Sequence, residues 1–249
     1  MNKTANTVNA VHNKLAILYS LRNCPYAMRA RIAILKAQQT IILRDVVLSN
    51  KPEEMIAASS KATVPILVLT DGTVIDESLE IMLWALKEND PNNLLHSAKS
   101  SGSENDSDAQ NYYQSDNDNM LAEMLALIHT FDNEFKTCLE QYKCAKRYKE
   151  YNIIECRVAC EPFIQVLENR LSNHNFLMSN QESLVDIALL PFIRQFARVE
   201  RQWYLQSPYP KVKQWLSNYL QSSMFTKVMA KYPLWLDNHE VVLFGGAGK

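Results

Sequence analysis

One cysteine lies where the chain could hold a nucleophile. Cys24 directly precedes Pro25, and the residues that follow have helical spacing, so Cys24 is predicted to occupy a helix N-cap. The free N–H groups and the dipole at such an end stabilise negative charge, and the thiolate is the nucleophilic form of cysteine. We therefore expect Cys24 to be a reactive thiol. The alternative is that Cys24 is a small, buried core residue.

The residue at position 27 determines which thiol chemistry is open to Cys24. A dithiol oxidoreductase has a second cysteine three positions after the first, whereas this chain has Ala27. The predicted site is therefore monothiol, and a second small thiol must resolve any mixed disulfide. Tyr19 and Ser20, just before the motif, leave a second chemistry open, because a hydroxyl group can stabilise the thiolate of a bound thiol that attacks an electrophile.

Two residue pairs further along the chain could bind a small peptide. Val64–Pro65 precedes a predicted strand, and a cis bond there would present the Val64 backbone to an extended ligand, whereas a trans bond would leave Pro65 as the first residue of an edge strand. Glu77–Ser78 begins a predicted helix, whose free N–H groups and Ser78 hydroxyl suit a carboxylate. Because Glu77 can accept from an ammonium group, this pair suits the zwitterionic end of a γ-glutamyl group. Simple helix capping by Ser78 is the alternative.

Hydrophobic patterning gives the elements that would position these residues. It predicts strands at 15–19, 41–48, 65–69 and 73–75, and helices at 25–38, 51–58 and 77–88. Asp71–Gly72 is typical of a hairpin turn between the last two strands. In the first helix, Arg29 and Arg31 are predicted to lie outside the buried face. The order is βαβαββα over residues 14–95, which makes a small α/β domain.

The second part of the chain is predicted to be helical. Residues 96–119 are rich in Ser, Asn and Asp and are predicted to form a polar linker. No strand pattern follows, and helices are predicted near 120–149, 152–172, 183–203, 209–221 and 223–231. The predicted fold class is therefore α/β plus all-α, with a helical domain over 120–236 and an unassigned tail over 241–249.

Composition excludes several classes of function. The 26 basic and 27 acidic residues give a net charge of −1, so the chain has no basic patch for a nucleic acid. No apolar run reaches the roughly 18 residues of a membrane span, and the first residues lack the apolar core of a signal peptide, so we expect a cytoplasmic protein with no membrane partner. The five cysteines are an odd number without metal-ligand spacing, so neither a disulfide framework nor a metal site is expected.

Taken in order along the chain, these motifs resemble those of glutathione transferases, and most of all the omega-class and related cysteine-type enzymes. The cysteine–proline motif at Cys24, the Val64–Pro65 pair and the Glu77–Ser78 pair are similar to the family's glutathione-binding domain. Lys51 lies in a segment similar to the one in which the family's lysine contacts glutathione. Ser183 and the acidic residue three positions later resemble the family's capping box before a long buried helix.

The resemblance covers residues 14–95 and 120–236. It implies a thioredoxin-like N-terminal domain (βαβαββα) followed by an all-helical C-terminal domain. The chain departs from the family at two places. The polar linker over 96–119 is longer than the usual connection, and the tail over 241–249 has no counterpart.

The resemblance also implies glutathione as a co-substrate and indicates which residues would contact it. Cys24 would face the glutathione sulfur, Val64 would pair with the cysteinyl backbone, and Lys51 would reach toward a glutathione carboxylate. Glu77 and Ser78 would hold the γ-glutamyl end. The full set of implied binding residues is Tyr26, Lys51, Val64, Pro65, Glu77 and Ser78.

The sequence therefore predicts a glutathione-dependent thiol transferase or reductase in which Cys24 forms a mixed disulfide with glutathione. Two alternatives stay open: a glutathione-conjugating transferase that acts on electrophiles, and a non-catalytic binding module with the same fold. The second substrate, a small molecule or a disulfide, is not identified by the sequence. The resemblance implies a homodimer.

Overall fold

The computed structural model describes residues 15–96 and 107–246, and in the second range it describes side chains from residue 119 onward. The chain forms two compact units. Among the described residues, one unit contains those up to Pro91 together with those from Gln221 onward, and the other contains those from Asn92 to Leu220.

The first unit begins with alternating strands and helices. In chain order these are β1 (Ile17–Ser20), α1 (Pro25–Lys36), β2 (Thr40–Asp45), α2 (Glu53–Ala58), β3 (Ile66–Val68), β4 (Val74–Ile75) and α3 (Ser78–Glu88). The predicted βαβαββα order is therefore confirmed.

The sheet of this unit has the predicted thioredoxin-like arrangement. β1 runs parallel to β2, with Ile17 opposite Ile42, and β3 runs antiparallel to β1 on its other side. β4 is antiparallel to β3 and lies at one edge. Buried side chains such as Leu18 and Ile66 lie on these strands and Ile32 lies on α1, so each element contributes to one core.

The hairpin turn between β3 and β4 forms at the predicted Asp71–Gly72. The Thr73 N–H donates to Asp71 Oδ1 at 2.8 Å. Gly72 has φ +87°, in the left-handed region that favours glycine. The turn therefore depends on the two residues that predicted it.

In the second unit, the regular secondary structure of the described residues is entirely helical. Its helices are α4 (Ser107–Thr130), α5 (Lys136–Tyr148), α6 (Ile153–Asn173), α7 (Leu184–Val199), α8 (Arg201–Gln206) and α9 (Pro210–Leu220), and a π-helical segment, Phe131–Phe135, joins α4 to α5. Buried aromatic rings pack at its centre, and the rings of Phe135 and Phe196 have centroids 6.1 Å apart. Across residues 15–96 and 107–246, no helix is long and apolar enough to cross a membrane.

Helix α4 extends into the predicted linker. The sequence assigns 96–119 to a polar linker, yet the structure is helical from Ser107, and positions 97–106 of that prediction lie outside the described residues. Met124 and Ile128 are fully buried and anchor the helix. Because a nucleated helix gains one hydrogen bond for each residue added, it can extend through polar residues, which composition alone does not indicate.

The predicted capping box is present at the start of α7. The Ser183 N–H donates to Asp186 Oδ2 at 3.0 Å, and the Ser183 hydroxyl also donates to Oδ2 at 2.7 Å. Asp186 is fully buried, and its Oδ1 accepts from the Leu177 N–H and from Trp215 Nε1, both at 3.0 Å. The box therefore also connects α7 to α9 and to the preceding loop.

The C-terminal segment differs most from the sequence prediction. It forms α10 (Ser223–Val228), α11 (Trp235–Asn238) and β5 (Val242–Gly245), and it belongs to the first unit rather than to the helical one. β5 pairs antiparallel with β2, so the sheet has the order β4-β3-β1-β2-β5. A strand of four residues forms because it pairs with the edge of an existing sheet. Here that edge is β2, about 200 residues earlier in the chain, so the local sequence pattern does not predict β5.

Arg31 is completely buried, although helical spacing places it outside the buried face of α1. Its guanidinium donates to Asp45 Oδ1 at 2.5 Å, to Ser20 Oγ at 2.7 Å and to the Val228 carbonyl at 3.3 Å. The charge can be buried because Asp45 neutralises it and these acceptors satisfy its N–H groups. Helical spacing counts an arginine as polar and does not reveal partners on other elements.

Candidate functional site

Cys24 lies at the N-cap of α1, as the sequence predicts. It has an extended backbone, and Pro25 occupies the first turn of the helix. The Cys24 carbonyl accepts from the Met28 N–H at 2.9 Å, while its own N–H donates to the Leu21 carbonyl at 3.0 Å. No acidic residue lies in the first turn of α1, so nothing in that turn opposes a negative charge on the half-buried thiol.

The Cys24 sulfur faces the loop that precedes β3. Its thiol donates to the Val64 carbonyl, with 3.7 Å between Sγ and the oxygen. The Val64–Pro65 peptide bond is cis, which answers the question that the sequence leaves open. The predicted nucleophile and the predicted peptide-binding backbone are therefore neighbours, because β1 and β3 are adjacent strands.

Tyr26 and Ser78 are linked by a residue that the sequence analysis missed. Arg29 Nε donates to Ser78 Oγ at 3.0 Å, and its guanidinium carbon lies 5.2 Å from the centroid of the Tyr26 ring. Arg29 is buried rather than outside the packed face of α1, so that prediction is wrong. Arg29 follows Tyr26 by three residues, so both lie on one side of the helix. This spacing is the sequence signal that could have placed Arg29 beside Tyr26. Because Arg29 supplies the donor, the buried Ser78 hydroxyl accepts from it and keeps its own proton to donate.

Glu77 forms the N-cap of α3, and its carboxylate lies in an ionic network that the sequence analysis also missed. Lys61 Nζ lies 2.6 Å from Glu77 Oε1 and 2.9 Å from Asp76 Oδ1. Ser59 donates to the other Asp76 oxygen at 2.6 Å. Hydrogen bonds to Glu77 and Asp76 raise the pKa of Lys61, and the bonds from Ser59 and Lys61 lower the pKa of Asp76. Lys61 is 15 residues or more from its partners, and no local pattern joins them.

Lys51 lies in the segment just before α2 and is half-buried. Among the contacts of the described residues, none joins it to the other predicted site residues. The structure thus brings Cys24 to Val64 and Tyr26 to Ser78, and leaves Lys51 by itself.

Tyr19 and Ser20, which left a conjugating chemistry open, are both buried. The Tyr19 hydroxyl accepts from the Arg44 guanidinium at 2.6 Å, and burial raises the pKa of Tyr19. The Ser20 hydroxyl accepts from Arg31.

The other four thiols lie in the helical unit, and all five cysteines are free. Cys144 is exposed, whereas burial raises the pKa of Cys160 to about 12. Among residues 15–96 and 119–246, no group of three His, Cys, Asp or Glu side chains could hold a metal ion.

Two family models match the chain. The model described as glutathione S-transferase, N-terminal domain, matches residues 18–93, and the model described as glutathione S-transferase, C-terminal domain, matches residues 109–222. Together they cover most of the sequence. No curated protein matches it.

Solved structures share the fold over most of the chain. A glutathione transferase family member from Pseudomonas fluorescens Pf-5, solved with two glutathione bound, is 14% identical, and the match covers 90% of this chain and 96% of that chain with a TM-score of 0.68. A glutathione S-transferase from Rhodospirillum rubrum F11 is 18% identical over 88% of this chain and 94% of that chain, with a TM-score of 0.64. Poplar glutathione transferase F1 is 14% identical over 87% of this chain and 97% of that chain, with a TM-score of 0.67.

Proposed function

Because the chain belongs to the glutathione S-transferase family, we propose that it is a glutathione-dependent thiol transferase whose nucleophile is Cys24. The observation that carries this proposal is the position of the Cys24 sulfur, at the N-cap of α1 and 3.7 Å from the Val64 carbonyl. The nearby hydroxyls of Tyr19 and Ser20 are buried and bound to arginines, which favours the thiol over a hydroxyl as the reacting group.

The proposed reaction consists of two thiol–disulfide exchanges. In the first, the Cys24 thiolate attacks the glutathionyl sulfur of a mixed disulfide; the S–S bond breaks, and the substrate leaves as a thiolate that takes up a proton. In the second, the thiolate of a free glutathione attacks the glutathionyl sulfur on Cys24. The products are glutathione disulfide and the regenerated Cys24 thiolate. The substrate sulfur goes from disulfide to thiol, the sulfur of the one free glutathione goes from thiol to disulfide, and the other glutathionyl sulfur stays in a disulfide throughout. Ala27 leaves no second thiol in the motif, which is why free glutathione must complete the cycle.

The glutathione itself would extend from Cys24 toward the start of α3. The Val64 backbone beside Pro65 would pair with its cysteinyl residue, and Glu77 and Ser78 would bind its γ-glutamyl end. Tyr26 would line this path, and Lys51 would approach a carboxylate. Support for the γ-glutamyl position comes from the Ser78 hydroxyl, which accepts from Arg29 and can donate to a carboxylate at the helix N-terminus.

Disulfide reduction with glutathione tests the proposal. Cys24→Ala should abolish the reduction of a glutathione mixed disulfide but retain glutathione binding, because the ligand contacts lie on other residues. Cys144→Ala removes an exposed thiol in the helical unit and serves as the matched control, with activity unchanged. Full reductase activity in Cys24→Ala would overturn the thiol mechanism. Conjugation of an electrophile by Cys24→Ala, without reductase activity in the unmodified protein, would favour the conjugating alternative.

The cytoplasmic location and the homodimer that the sequence analysis expects stay predictions. Light scattering after size-exclusion chromatography would test the dimer. A single-chain mass would contradict it.

A further inference from the structure

The carboxylate of Glu77 already binds an ammonium group of the chain itself. Lys61 Nζ lies 2.6 Å from Glu77 Oε1 and 2.9 Å from Asp76 Oδ1, between the two carboxylates that directly precede α3. Ser59 also connects Asp76 to the backbone of Lys61. Its hydroxyl donates to Asp76 Oδ2 at 2.6 Å, and its Oγ accepts from the Lys61 N–H at 3.3 Å. Lys61 is therefore held at the start of the helix by its backbone and by its side chain.

The charges at this position do not balance. The hydrogen bonds that Lys61 donates to Glu77 and Asp76 raise its pKa, so it is cationic at any working pH, and the lowered pKa of Asp76 keeps that group anionic. Two carboxylates and one ammonium leave one negative charge. The site therefore still attracts a cation, and the α-ammonium group of a γ-glutamyl ligand is such a cation.

We propose that Lys61 competes with the α-ammonium group of a γ-glutamyl ligand for Glu77 and so sets how strongly the site favours ligands with a free α-amino group. This inference rests on the proposed function, because it takes Glu77 as the acceptor for the γ-glutamyl end. When the ligand binds, Lys61 gives up Glu77 and keeps Asp76, so only one of its two ionic contacts is lost. The exchange is open to the ligand because the Glu77 side chain is 60% exposed.

Competition and simple charge attraction predict opposite results. Glutathione carries two carboxylates and one ammonium at neutral pH, so a lysine that acted only through its charge would attract it, and removing that lysine would weaken binding. A lysine that competes for Glu77 lowers affinity, and removing it would tighten binding. Because exposed ion pairs are weak, the expected gain is about two- to five-fold.

Calorimetric titration of two ligands into three proteins separates these cases. The ligands are glutathione and its desamino analogue, in which hydrogen replaces the α-amino group. The proteins are the unmodified chain, Lys61→Met and the control Lys87→Met. Lys87 is an exposed lysine in the final turn of α3. Lys61→Met should bind glutathione about two- to five-fold more tightly and the analogue no more tightly, and Lys87→Met should match the unmodified chain.

Three outcomes would overturn the inference. Lys61→Met could bind glutathione no more tightly than the unmodified chain does, or it could gain equally for both ligands, since competition acts only on the ammonium group. Either result leaves the proposed function intact. If the unmodified chain fails to bind glutathione at all, the proposed function is overturned and the inference falls with it.

Discussion

Replacement of Asp186 by alanine should strongly destabilise the helical unit. The carboxylate is fully buried and accepts from the N–H groups of Leu177 and Ser183, from the Ser183 hydroxyl and from Trp215 Nε1. Alanine would leave three buried N–H donors without an acceptor. Each unsatisfied donor costs about 1–3 kcal/mol, and the losses overlap because the three donors share one carboxylate, so the free energy of unfolding should fall by about 3 kcal/mol.

Urea denaturation followed by tryptophan fluorescence would measure this change. Asp186→Asn keeps one acceptor oxygen in the same volume and should lose less, about 2 kcal/mol. Trp215→Phe, combined with Asp186→Ala in a double-mutant cycle, would isolate the bond between the indole and the carboxylate, with a coupling of about 1–3 kcal/mol. Glu134→Ala, at an exposed position in the same unit, is the control and should change stability by less than about 0.5 kcal/mol. A loss below about 1 kcal/mol in Asp186→Ala would refute the reasoning, because it would mean that the three donors find other partners.

Two further predictions follow from β5 and from the buried thiols. Gly245→Ala should lower the free energy of unfolding by more than about 2 kcal/mol, because φ is +89° and a Cβ would lie 1.9 Å from the Gln39 carbonyl oxygen, whereas Gly72→Ala, with φ +87° and nothing within 4 Å, should lose only about 1 kcal/mol. Equal losses in urea denaturation would contradict the pairing of β5 with β2. At pH 8 a thiol whose pKa is raised to about 12 is about one part in ten thousand thiolate, so Cys160 should react with iodoacetamide far more slowly than the exposed Cys144. Equal labelling rates, measured by peptide mass spectrometry, would show that Cys160 is not buried.

Local sequence signals predicted the features that depend on neighbouring residues. Cys24 before Pro25 predicted the start of α1, Asp71–Gly72 predicted the hairpin, and Ser183 with Asp186 predicted the capping box. In each case the residues that make the hydrogen bonds or set the backbone angles lie within a few positions of one another. The order of strands and helices followed from the same short-range patterns.

The features that the sequence missed depend on contacts between distant residues. Arg29 and Arg31 are buried because Ser78 and Asp45 supply their acceptors from other elements. Lys61 is held by Glu77, although β3, the hairpin turn and β4 separate them in the chain. The apolar residues of β5 form a strand because they pair with the edge of β2. Periodicity ranks residues by hydropathy along one element, so it cannot show a charge neutralised by a partner elsewhere.

The most direct test of the central claim is the site at which the reduced protein first acquires glutathione. Incubation with glutathione disulfide at neutral pH would allow the Cys24 thiolate to attack one sulfur and release glutathione, and peptide mass spectrometry would locate the adduct. We predict that Cys24 is modified first, ahead of the exposed Cys144, and that free glutathione removes the adduct. An adduct that forms first on Cys144 while Cys24 stays unmodified would contradict this prediction.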